Sequence, residues 1–321
     1  MLAALSAAIV PSARATGAAA VYRNPVFDHD FPDPFVLAAG GVFWAYATND
    51  GWNVQTLRSP NGVSWAPVTT DALPQLPSWA RPGETWAPEV TVAGDRYVMW
   101  YTAARRTDGM HCLSRAVALV PQGPFSDASA APAACSADQG GALDPSPFVD
   151  ASGQRWLAWK SEGRGPKSLP PTIWSARISS DGLTFTSLPS RLISADRAWE
   201  GGVVEAPSLV QDGGRTLLFY SGNRWDTASY AVGWAACRGP AGPCVKDSAP
   251  ILRAGGSVAG PGGQTVFRDL SGALWMGYHG WSASAVGYPR GYRSFRLEQV
   301  AIRAGRPVVH GPSEAITVAR P

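Results

Sequence analysis

The feature that most constrains the fold is a proline that recurs in similar surroundings at positions 34, 88, 145, 207 and 261, at intervals of 54 to 62 residues. After each proline come a short apolar run, a turn rich in Gly, Asp or Ser, and a second run in which aromatic and β-branched residues alternate. This alternation predicts strands, and the turn residues predict hairpins between them. The chain therefore contains five similar units of paired strands.

Five such units predict an all-β fold, a five-bladed β-propeller with roughly four antiparallel strands per blade. The alternating strands are expected at residues 42–47, 96–102, 155–160, 216–221 and 273–279. Segments 59–65 and 179–185 carry Asn-Gly and Asp-Gly and are expected to form outer hairpins of blades one and three. A long β-sandwich is the competing architecture, but it does not predict near-equal spacing of the prolines.

Residues 1–20 differ from the rest of the chain. A short apolar stretch, residues 2–10, is followed by Ala13-Arg14-Ala15, which is typical of a secretory signal and its cleavage site, although the usual basic n-region is missing. A disordered Ala-rich tail is the alternative. No other stretch reaches the roughly 18 apolar residues of a membrane span. We therefore expect residues 21–321 to form one secreted, monomeric catalytic domain that does not bind membranes.

The four cysteines are compatible with export. The simplest pairing is Cys112 with Cys135 and Cys237 with Cys244, and four unpaired core cysteines are the alternative. There is no C-x-x-C motif, and no two of the four histidines lie at the spacing of metal ligands. The sequence therefore predicts two disulfides and no metal site.

Composition and motifs exclude several functions. The formal net charge is only +3, with no basic stripe, so nothing favours nucleic acid as a partner. Gly-x-Ser-x-Gly, phosphate-binding and dinucleotide-binding motifs are missing from the sequence, so serine hydrolase, nucleotide and nicotinamide functions lack support. The 14 tryptophans instead favour a polar ligand contacted by aromatic rings.

Three acids stand beside the recurring prolines, namely Asp33, Asp144 and Glu205. Because the innermost strands of a propeller surround one channel, these carboxylates are expected to converge at one mouth of it. Two acids across a small polar funnel suit glycoside hydrolysis, and a third can raise or hold the proton affinity of the acid. The alternative is that Asp-Pro and Glu-Ala-Pro simply begin strands.

Tryptophans at the mouth of the channel are candidates to stack on sugar rings. Trp86, beside the second proline, is the best placed. Trp52, Trp225 and Trp281 are weaker candidates, for which packing between blades is the alternative.

Taken together, six segments resemble glycoside hydrolase family 43, the five-bladed propeller hydrolases that act on arabinofuranosides and xylosides. The resembling segments are residues 24–26 with 30–34, 85–90, 142–148, 204–209, 220–223 and 278–281. The resemblance covers residues 21–312, in order. It implies that Asp33 is the general base, that Glu205 is the general acid, and that Asp144 orients Glu205 and modulates its pKa.

The resemblance also implies inversion of configuration and a substrate-binding role for Arg293 on the glycone, for which a surface cation on an outer strand is the alternative. The chain departs from the family pattern at Gly263, where many members have a His tied to an ion on the axis. Support for a central calcium is therefore weak, and Gln264 is a candidate to fill that place. His279 is a candidate to line the channel, with a hydrogen-bonded core imidazole as the alternative. We expect no required cofactor.

The sequence favours an inverting, exo-acting α-L-arabinofuranosidase whose substrate is a plant-type or cell-wall pentose polysaccharide or oligosaccharide. A β-xylosidase is the alternative within the family, and galactofuranose is a further candidate sugar. Two other classes stay open: a sialidase-like propeller, which needs an arginine cluster, and a non-catalytic sugar-binding propeller, which does not need the three acids.

Overall fold

The computed structural model describes residues 20–163 and 169–318. The segment for which a secretory signal is predicted lies outside the described residues, apart from Ala20. As predicted, the structure is a five-bladed β-propeller built from small antiparallel sheets. Each sheet runs outward from the axis in chain order, because hairpins connect its successive strands.

The strands are numbered along the chain, beginning with β1 (Ala20–Arg23). Blade 1 contains β2 (Phe35–Ala39), β3 (Val42–Ala47), β4 (Gln55–Ser59) and β5 (Ala66–Pro67). Blade 2 contains β6 (Ala80–Ala93), β7 (Arg96–Arg105) and β8 (His111–Ala118). Blade 3 contains β9 (Leu143–Val149), β10 (Arg155–Ser161), β11 (Thr172–Arg177) and β12 (Ser190–Ser194).

Blade 4 contains β13 (Val204–Asp212), β14 (Arg215–Gly222), β15 (Ala231–Cys237) and β16 (Cys244–Lys246). Blade 5 contains β17 (Val258–Arg268), β18 (Leu274–Ser282), β19 (Ser294–Arg303) and β20 (Arg306–Val309), and β21 (Ala315–Val318) follows it. Two short 3-10 turns lie at Ala137–Gln139 and Ala198–Glu200.

The predicted alternating strands are β3, β7, β10, β14 and β18, and the predicted outer hairpins connect β4 to β5 and β11 to β12. Blade 2 departs from the prediction because it has three strands. In place of a fourth strand, isolated bridges connect Leu113 to Ala134 and Val117 to Ser126 along the outer side of β8.

Five apolar clusters hold the blades together, one at each interface between neighbouring blades. Between blades 1 and 2, for example, Tyr46 packs with Met99 and Tyr101. Between blades 5 and 1, Phe43 and Phe295 share a cluster. Because each cluster takes side chains from two sheets, no blade buries its faces alone, and burial of apolar surface favours the closed ring.

The ring closes without exchange of strands between the first and last blades. β1 pairs with β21, and the Asn24 side chain donates to the carbonyl oxygens of Leu297 and Ser313. The buried Glu298 carboxylate accepts hydrogen bonds from the Ser313 amide and hydroxyl, so the two ends of the chain are fastened to blade 5.

Register on the inner strands corrects one prediction. In blades 2 to 5, the pairs at the axial level are Trp86–Thr102, Leu143–Lys160, Glu205–Ser221 and Gly262–His279. In blades 2 to 4 the recurring proline lies two residues after the inner-strand member of each pair, that is, after Trp86, Leu143 and Glu205. In blade 5 the residue two positions after Gly262 is Gln264. Pro261, which was predicted as the fifth equivalent, is therefore three residues too early in the chain.

Both predicted disulfides, Cys112–Cys135 and Cys237–Cys244, are present. The first ties β8 to the segment that lies beside it, and the second closes the hairpin between β15 and β16. Across residues 20–163 and 169–318, no helix is long and apolar enough to cross a membrane.

Candidate active site

A left-handed backbone turn recurs where each inner strand reaches the axis. The residues in this conformation are Asp33 (φ 53°), Ala87 (43°), Asp144 (53°), Ala206 (47°) and Gly263 (57°). For a residue other than glycine such a conformation costs about 1–3 kcal/mol, and it persists only where surrounding contacts require it. In blades 2 to 5 the turn coincides with a break in strand register, a bulge that redirects side chains toward the axis.

An inter-blade ring of hydrogen bonds holds these turns. Each turn residue donates its backbone N–H to a side chain of the preceding blade. The donor and acceptor atoms are Ala87 N with Thr48 Oγ1 (2.9 Å), Asp144 N with Thr102 Oγ1 (3.0 Å), Ala206 N with Asp144 Oδ2 (3.0 Å), Gly263 N with Ser221 Oγ (3.0 Å) and Asp33 N with His279 Nδ1 (3.0 Å). The ring is closed, so the position of each acidic side chain depends on the blades beside it.

Above the ring lies a cavity of about 600 Å³, and Asp33, Asp144 and Glu205 all line it. The structure thus brings together the three acids selected from the sequence, each from a different blade. Among the residues that line this cavity, seven are acidic and three are basic. The acidic ones are Asp30, Asp33, Asp50, Asp144, Glu162, Glu205 and Asp226, and the basic ones are Lys160, Arg224 and Arg293.

The Asp33 side chain has a hydrogen-bond donor and a cation beside it. Thr48 donates its hydroxyl to Asp33 Oδ2 at 2.7 Å, and Arg293 Nη1 lies 3.8 Å from the same oxygen. Burial, assisted by Arg293, lowers the pKa of His279 well below its usual range, so this imidazole is neutral. His279 Nδ1 accepts the Asp33 N–H, and the contact of 3.4 Å between Nδ1 and Asp33 Oδ1 is therefore not an ion pair.

The Asp144 carboxyl group has a raised pKa. Burial, Glu205 and Asp33 raise its pKa to about 7, although Lys160 and the Ala206 N–H act to lower it. Below neutral pH this group therefore holds a proton, while its backbone and one side-chain oxygen take part in the inter-blade ring. A carboxyl group that keeps its proton up to about neutral pH, with further carboxyl groups in the same site, is an arrangement that suits acid–base chemistry.

Each oxygen of Glu205 receives a hydrogen bond. Lys160 Nζ donates to Oε2 at 2.8 Å, and Tyr230 OH donates to Oε1 at 2.7 Å. Burial raises the pKa of Tyr230 well above its usual range, and Glu205 and Asp33 add to this effect, so the phenol keeps its proton. The Glu205 side chain is therefore fixed in orientation from two sides.

Two glycines make room for this arrangement. A Cβ at Gly262 would lie 2.1 Å from the Tyr230 ring, and a Cβ at Gly263 would lie 2.4 Å from His279 Cε1 and 2.6 Å from Asp33 Oδ1. Tyr230 stacks on His279, with ring centroids 5.7 Å apart. Side chains from elsewhere in the chain thus fill the space that a side chain at position 262 or 263 would need.

A central metal ion does not fit these side chains well. Among residues 20–163 and 169–318, no three His, Cys, Asp or Glu side chains are grouped in a way that could hold one. Gly263 supplies no ligand, and His279 Nδ1 is already occupied by the Asp33 N–H. No catalytic step is therefore assigned to a metal.

Aromatic side chains form two walls of the cavity. On one side Trp86 stacks on His111 at 3.9 Å between ring centroids. On the other side the Arg293 guanidinium lies 4.5 Å from the centre of the Trp225 ring and 5.6 Å from that of Tyr288. Arg293 is buried, so its alternative interpretation as a surface cation was wrong.

Several candidate ligand contacts from the sequence lie elsewhere. Gln264 faces a narrow axial channel beneath the cavity, and its amide connects blades by accepting from Ser221 and donating to the Ala206 carbonyl oxygen. His279 is fully buried behind Asp33. Trp281 is buried and donates to the Trp225 carbonyl oxygen. Trp52 is exposed and is not among the residues that line the cavity.

Sequence reasoning missed Lys160, Tyr230, Thr48 and Asp30. Lys160 follows a run of apolar residues in β10, and a lysine near the inner end of a strand is the signal that could have identified it. Tyr230 lies in a loop, where no periodic pattern exists. Asp30 accepts the Arg293 N–H at 2.8 Å and the Tyr288 hydroxyl, and it is distinguished only by its place in the segment before Asp33.

A five-bladed propeller with three carboxylates around one cavity defines the general class, and comparison with known proteins supplies the family. The family model described as glycosyl hydrolases family 43 matches residues 22–307, and the chain belongs to this family. The carbohydrate chemistry inferred from the acids is therefore that of a glycosidase.

Solved structures agree with this fold. The structure of a thermostable family-43 glycoside hydrolase is 25% identical with a TM-score of 0.83, covering 94% of this chain and 99% of that one. An endo-1,4-β-xylanase from Bacteroides thetaiotaomicron is 24% identical with a TM-score of 0.75, covering 93% and 98%. An α-L-arabinofuranosidase from Lactobacillus brevis is 20% identical with a TM-score of 0.76, covering 91% and 97%. A comparison with curated protein sequences finds no match.

Proposed function

We propose that the protein is an inverting, exo-acting α-L-arabinofuranosidase that removes terminal arabinofuranose from arabinan- or arabinoxylan-type chains. The observation that carries the proposal is the meeting of Asp33, Asp144 and Glu205 in one cavity, each with different neighbours. Asp33, which has a hydrogen-bond donor and a cation beside it, is suited to act as the base. Asp144 and Glu205, which lie near one another, are suited to supply the acid.

Asp33 is proposed as the general base. The Thr48 hydroxyl donates to one of its oxygens and Arg293 lies beside the same oxygen, and a carboxylate is what removes a proton from the attacking water. Because Thr48 also accepts the Ala87 N–H, its hydroxyl proton is directed at Asp33 Oδ2. The base thus has a fixed orientation before the substrate binds.

Glu205 is proposed as the general acid, with Asp144 as the group that modulates it. The pKa of Asp144 is raised to about 7, so Asp144 and Glu205 together hold one proton up to about neutral pH. The leaving oxygen requires that proton as the glycosidic bond breaks. Asp144 also accepts the N–H of Ala206, the residue after Glu205, and so positions the acid.

The charge of the cavity supports a neutral sugar as substrate. Seven acidic side chains against three basic ones repel sugars that carry a carboxylate, which disfavours a sialidase. A volume of about 600 Å³ lies within the roughly 300–1,000 Å³ range of small-ligand sites. Hydroxyl groups of a pentose have Asp30, Asn49 and Asn223 as polar partners in the wall.

Arabinofuranose is proposed ahead of xylose as the terminal sugar. Structures that resemble this fold are named for both sugars, α-L-arabinofuranosidase and exo-1,5-α-L-arabinanase on one side and endo-1,4-β-xylanase and xylan β-1,4-xylosidase on the other, so the choice between them is left to the glycoside panel below. Walls that contain Trp86 and Trp225 are proposed to admit one chain end. We further propose secretion, since two disulfides are compatible with an oxidising compartment. A monomer is proposed as well.

A panel of 4-nitrophenyl glycosides tests the proposal. α-L-Arabinofuranoside should be hydrolysed faster than β-D-xyloside, β-D-galactofuranoside and the sialoside, and Asp33→Asn should abolish the activity. Faster release from the xyloside would make the protein a β-xylosidase. No release from any sugar, with ligand binding retained, would point to a sugar-binding propeller instead.

A linear arabino-oligosaccharide tests the mode of attack. Early digests should contain arabinose and a chain shorter by one residue. Internal fragments that appear before the monosaccharide would contradict the exo assignment.

A further inference from the structure

The position of Lys160 in the propeller is unusual. At the axial level of the second strand, blades 2, 4 and 5 carry Thr102, Ser221 and His279, and each accepts a backbone N–H from the next blade. Blade 3 carries Lys160 at this level. An ammonium group has donors but no acceptor, so it cannot take part in the ring in the same way.

Asp144 replaces the missing acceptor. In blade 3 the ring bond runs from the Ala206 N–H to Asp144 Oδ2, at 3.0 Å, so the ring stays closed. Lys160 is therefore free to direct its ammonium elsewhere. It donates to Glu205 Oε2 at 2.8 Å and lies 3.1 Å from Glu162 Oε1.

The ammonium is almost completely buried, with 4% of the side chain exposed, whereas the Glu162 side chain is 48% exposed at the edge of the cavity. The charged groups that face Lys160 are Glu205 from β13, Asp144 from β9 and Glu162 after β10. Burial acts to lower the pKa of Lys160, but these three carboxyl groups outweigh burial and raise it, so the cation is retained.

We propose, on the basis of the function above, that Lys160 is a positioning residue that favours the charged form of Glu205 in the free enzyme. The shared proton then resides on Asp144 and passes to Glu205 as Glu205 protonates the departing oxygen. A proton on Glu205 Oε2 would face an ammonium, which has no lone pair to accept it. Tyr230 donates to the other oxygen, so both oxygens of Glu205 are occupied as acceptors.

Burial raises the proton affinity of the acid pair, and the buried Lys160 cation then lowers it. Glu162 weakens the effect, because it draws the same ammonium toward the edge of the cavity. Asp33, Glu89, Tyr230 and His111 are the other titratable groups near this site, and none is in hydrogen-bonding contact with Lys160 in the described residues. Burial raises the pKa of Glu89 well above its usual range, and Asp144 adds to this effect. Loss of the shared proton should govern the basic limb of the pH profile.

The test is the pH dependence of kcat/KM in two variants whose effects have opposite signs. A nearby opposite charge lowers the pKa of an acid by about 1–3 units, so Lys160→Met should move the basic limb upward by about 1 unit or more. Glu162→Gln should move it downward by less, because the ammonium then acts on Glu205 alone. Lys160→Arg should keep the limb near its wild-type position.

A role in structure alone would lower the rate at every pH and leave the limb in place, and this result would overturn the proposal. If Lys160→Met does not fold, Glu162→Gln decides, because its site is at the edge of the cavity; an unmoved or raised limb would overturn the proposal.

Carboxyl ¹³C titration of the free protein separates this proposal from the proposed function. With Asp144→Asn and Glu205→Gln for assignment, the Asp144 signal should titrate near neutral pH in wild type and higher in Lys160→Met. An unchanged Asp144 titration in Lys160→Met would reject the role of Lys160. If the wild type hydrolyses no glycoside, the proposed function fails, while the titration still decides the role of Lys160.

Discussion

Removal of the Lys246 ammonium should destabilise the protein through the carboxylate that it leaves behind. Lys246 Nζ donates to both oxygens of Glu200, at 2.7 and 2.9 Å, and to the Ser194 carbonyl oxygen. Glu200 is fully buried and also accepts the Tyr220 hydroxyl at 2.9 Å. Lys246→Met keeps the length of the side chain and leaves the buried carboxylate without its cation.

The size of the effect follows from burial. Breaking a buried ion pair on one side costs about 3–5 kcal/mol. The entropy of unfolding is about 2.1 cal/mol/K per residue, so roughly 300 ordered residues give about 0.6 kcal/mol/K. The melting temperature of Lys246→Met should therefore fall by about 5–8 °C in differential scanning calorimetry.

The cavity should also be affected. The Glu200 carbonyl oxygen accepts the Asn223 N–H at 2.7 Å, and Asn223 lines the cavity. Loosening of the turn that contains Glu200 should raise KM more than it lowers kcat, because the proposed catalytic acids lie on other segments.

Arg306→Met is the matched control. Arg306 pairs with Asp247, whose side chain is 16% exposed, but the arginine itself is 65% exposed, so solvent screens the pair. An exposed pair contributes about 0–1 kcal/mol, so this melting temperature should fall by less than about 2 °C. The double variant Lys246→Met/Glu200→Gln should recover part of the loss, because no unpaired charge remains buried. Equal shifts for Lys246→Met and Arg306→Met would refute the reasoning.

Two further predictions concern catalysis and metal. Glu205→Ala should lower kcat/KM by about 10²–10⁴-fold on oligosaccharides but much less on 4-nitrophenyl glycosides, whose leaving group needs little proton help, whereas Asp33→Ala should impair both; equal losses for Glu205→Ala on both substrates would reject this division of roles. Because Gly263 supplies no ligand, prolonged chelation should leave activity and melting temperature nearly unchanged, and a large fall that calcium reverses would reveal an ion site.

The blades could be predicted from the sequence because each one repeats a local pattern. Turn residues and alternating strands depend on neighbours in the chain, so β3, β7, β10, β14 and β18 were found at nearly their observed positions. The fifth repeat was placed three residues too early because the pair Gly260-Pro261 is similar to the residue–proline pairs of the other blades. Only the pairing of Gly262 with His279 identifies Gly263-Gln264 as the equivalent, and such a pairing is not local.

The site could be predicted only in part. The three acids stand beside the recurring prolines that mark the repeat, whereas the side chains that donate hydrogen bonds to Asp33 and Glu205 do not. In the sequence, nothing distinguishes Lys160 from other strand residues or Tyr230 from other loop residues. Only the packing of blade 3 against blade 4 brings both side chains to Glu205. Gln264 does not have the role expected for it, because its amide forms hydrogen bonds between blades 5 and 4.

The stereochemistry of the released sugar tests the central claim most directly. If Asp33 activates water on the face opposite the leaving group, no covalent glycosyl-enzyme forms and the configuration inverts. Proton NMR of an α-L-arabinofuranoside digest, recorded before mutarotation, should show β-arabinofuranose as the first product. The α-anomer as the first product would contradict the assignment of Asp33 as a base.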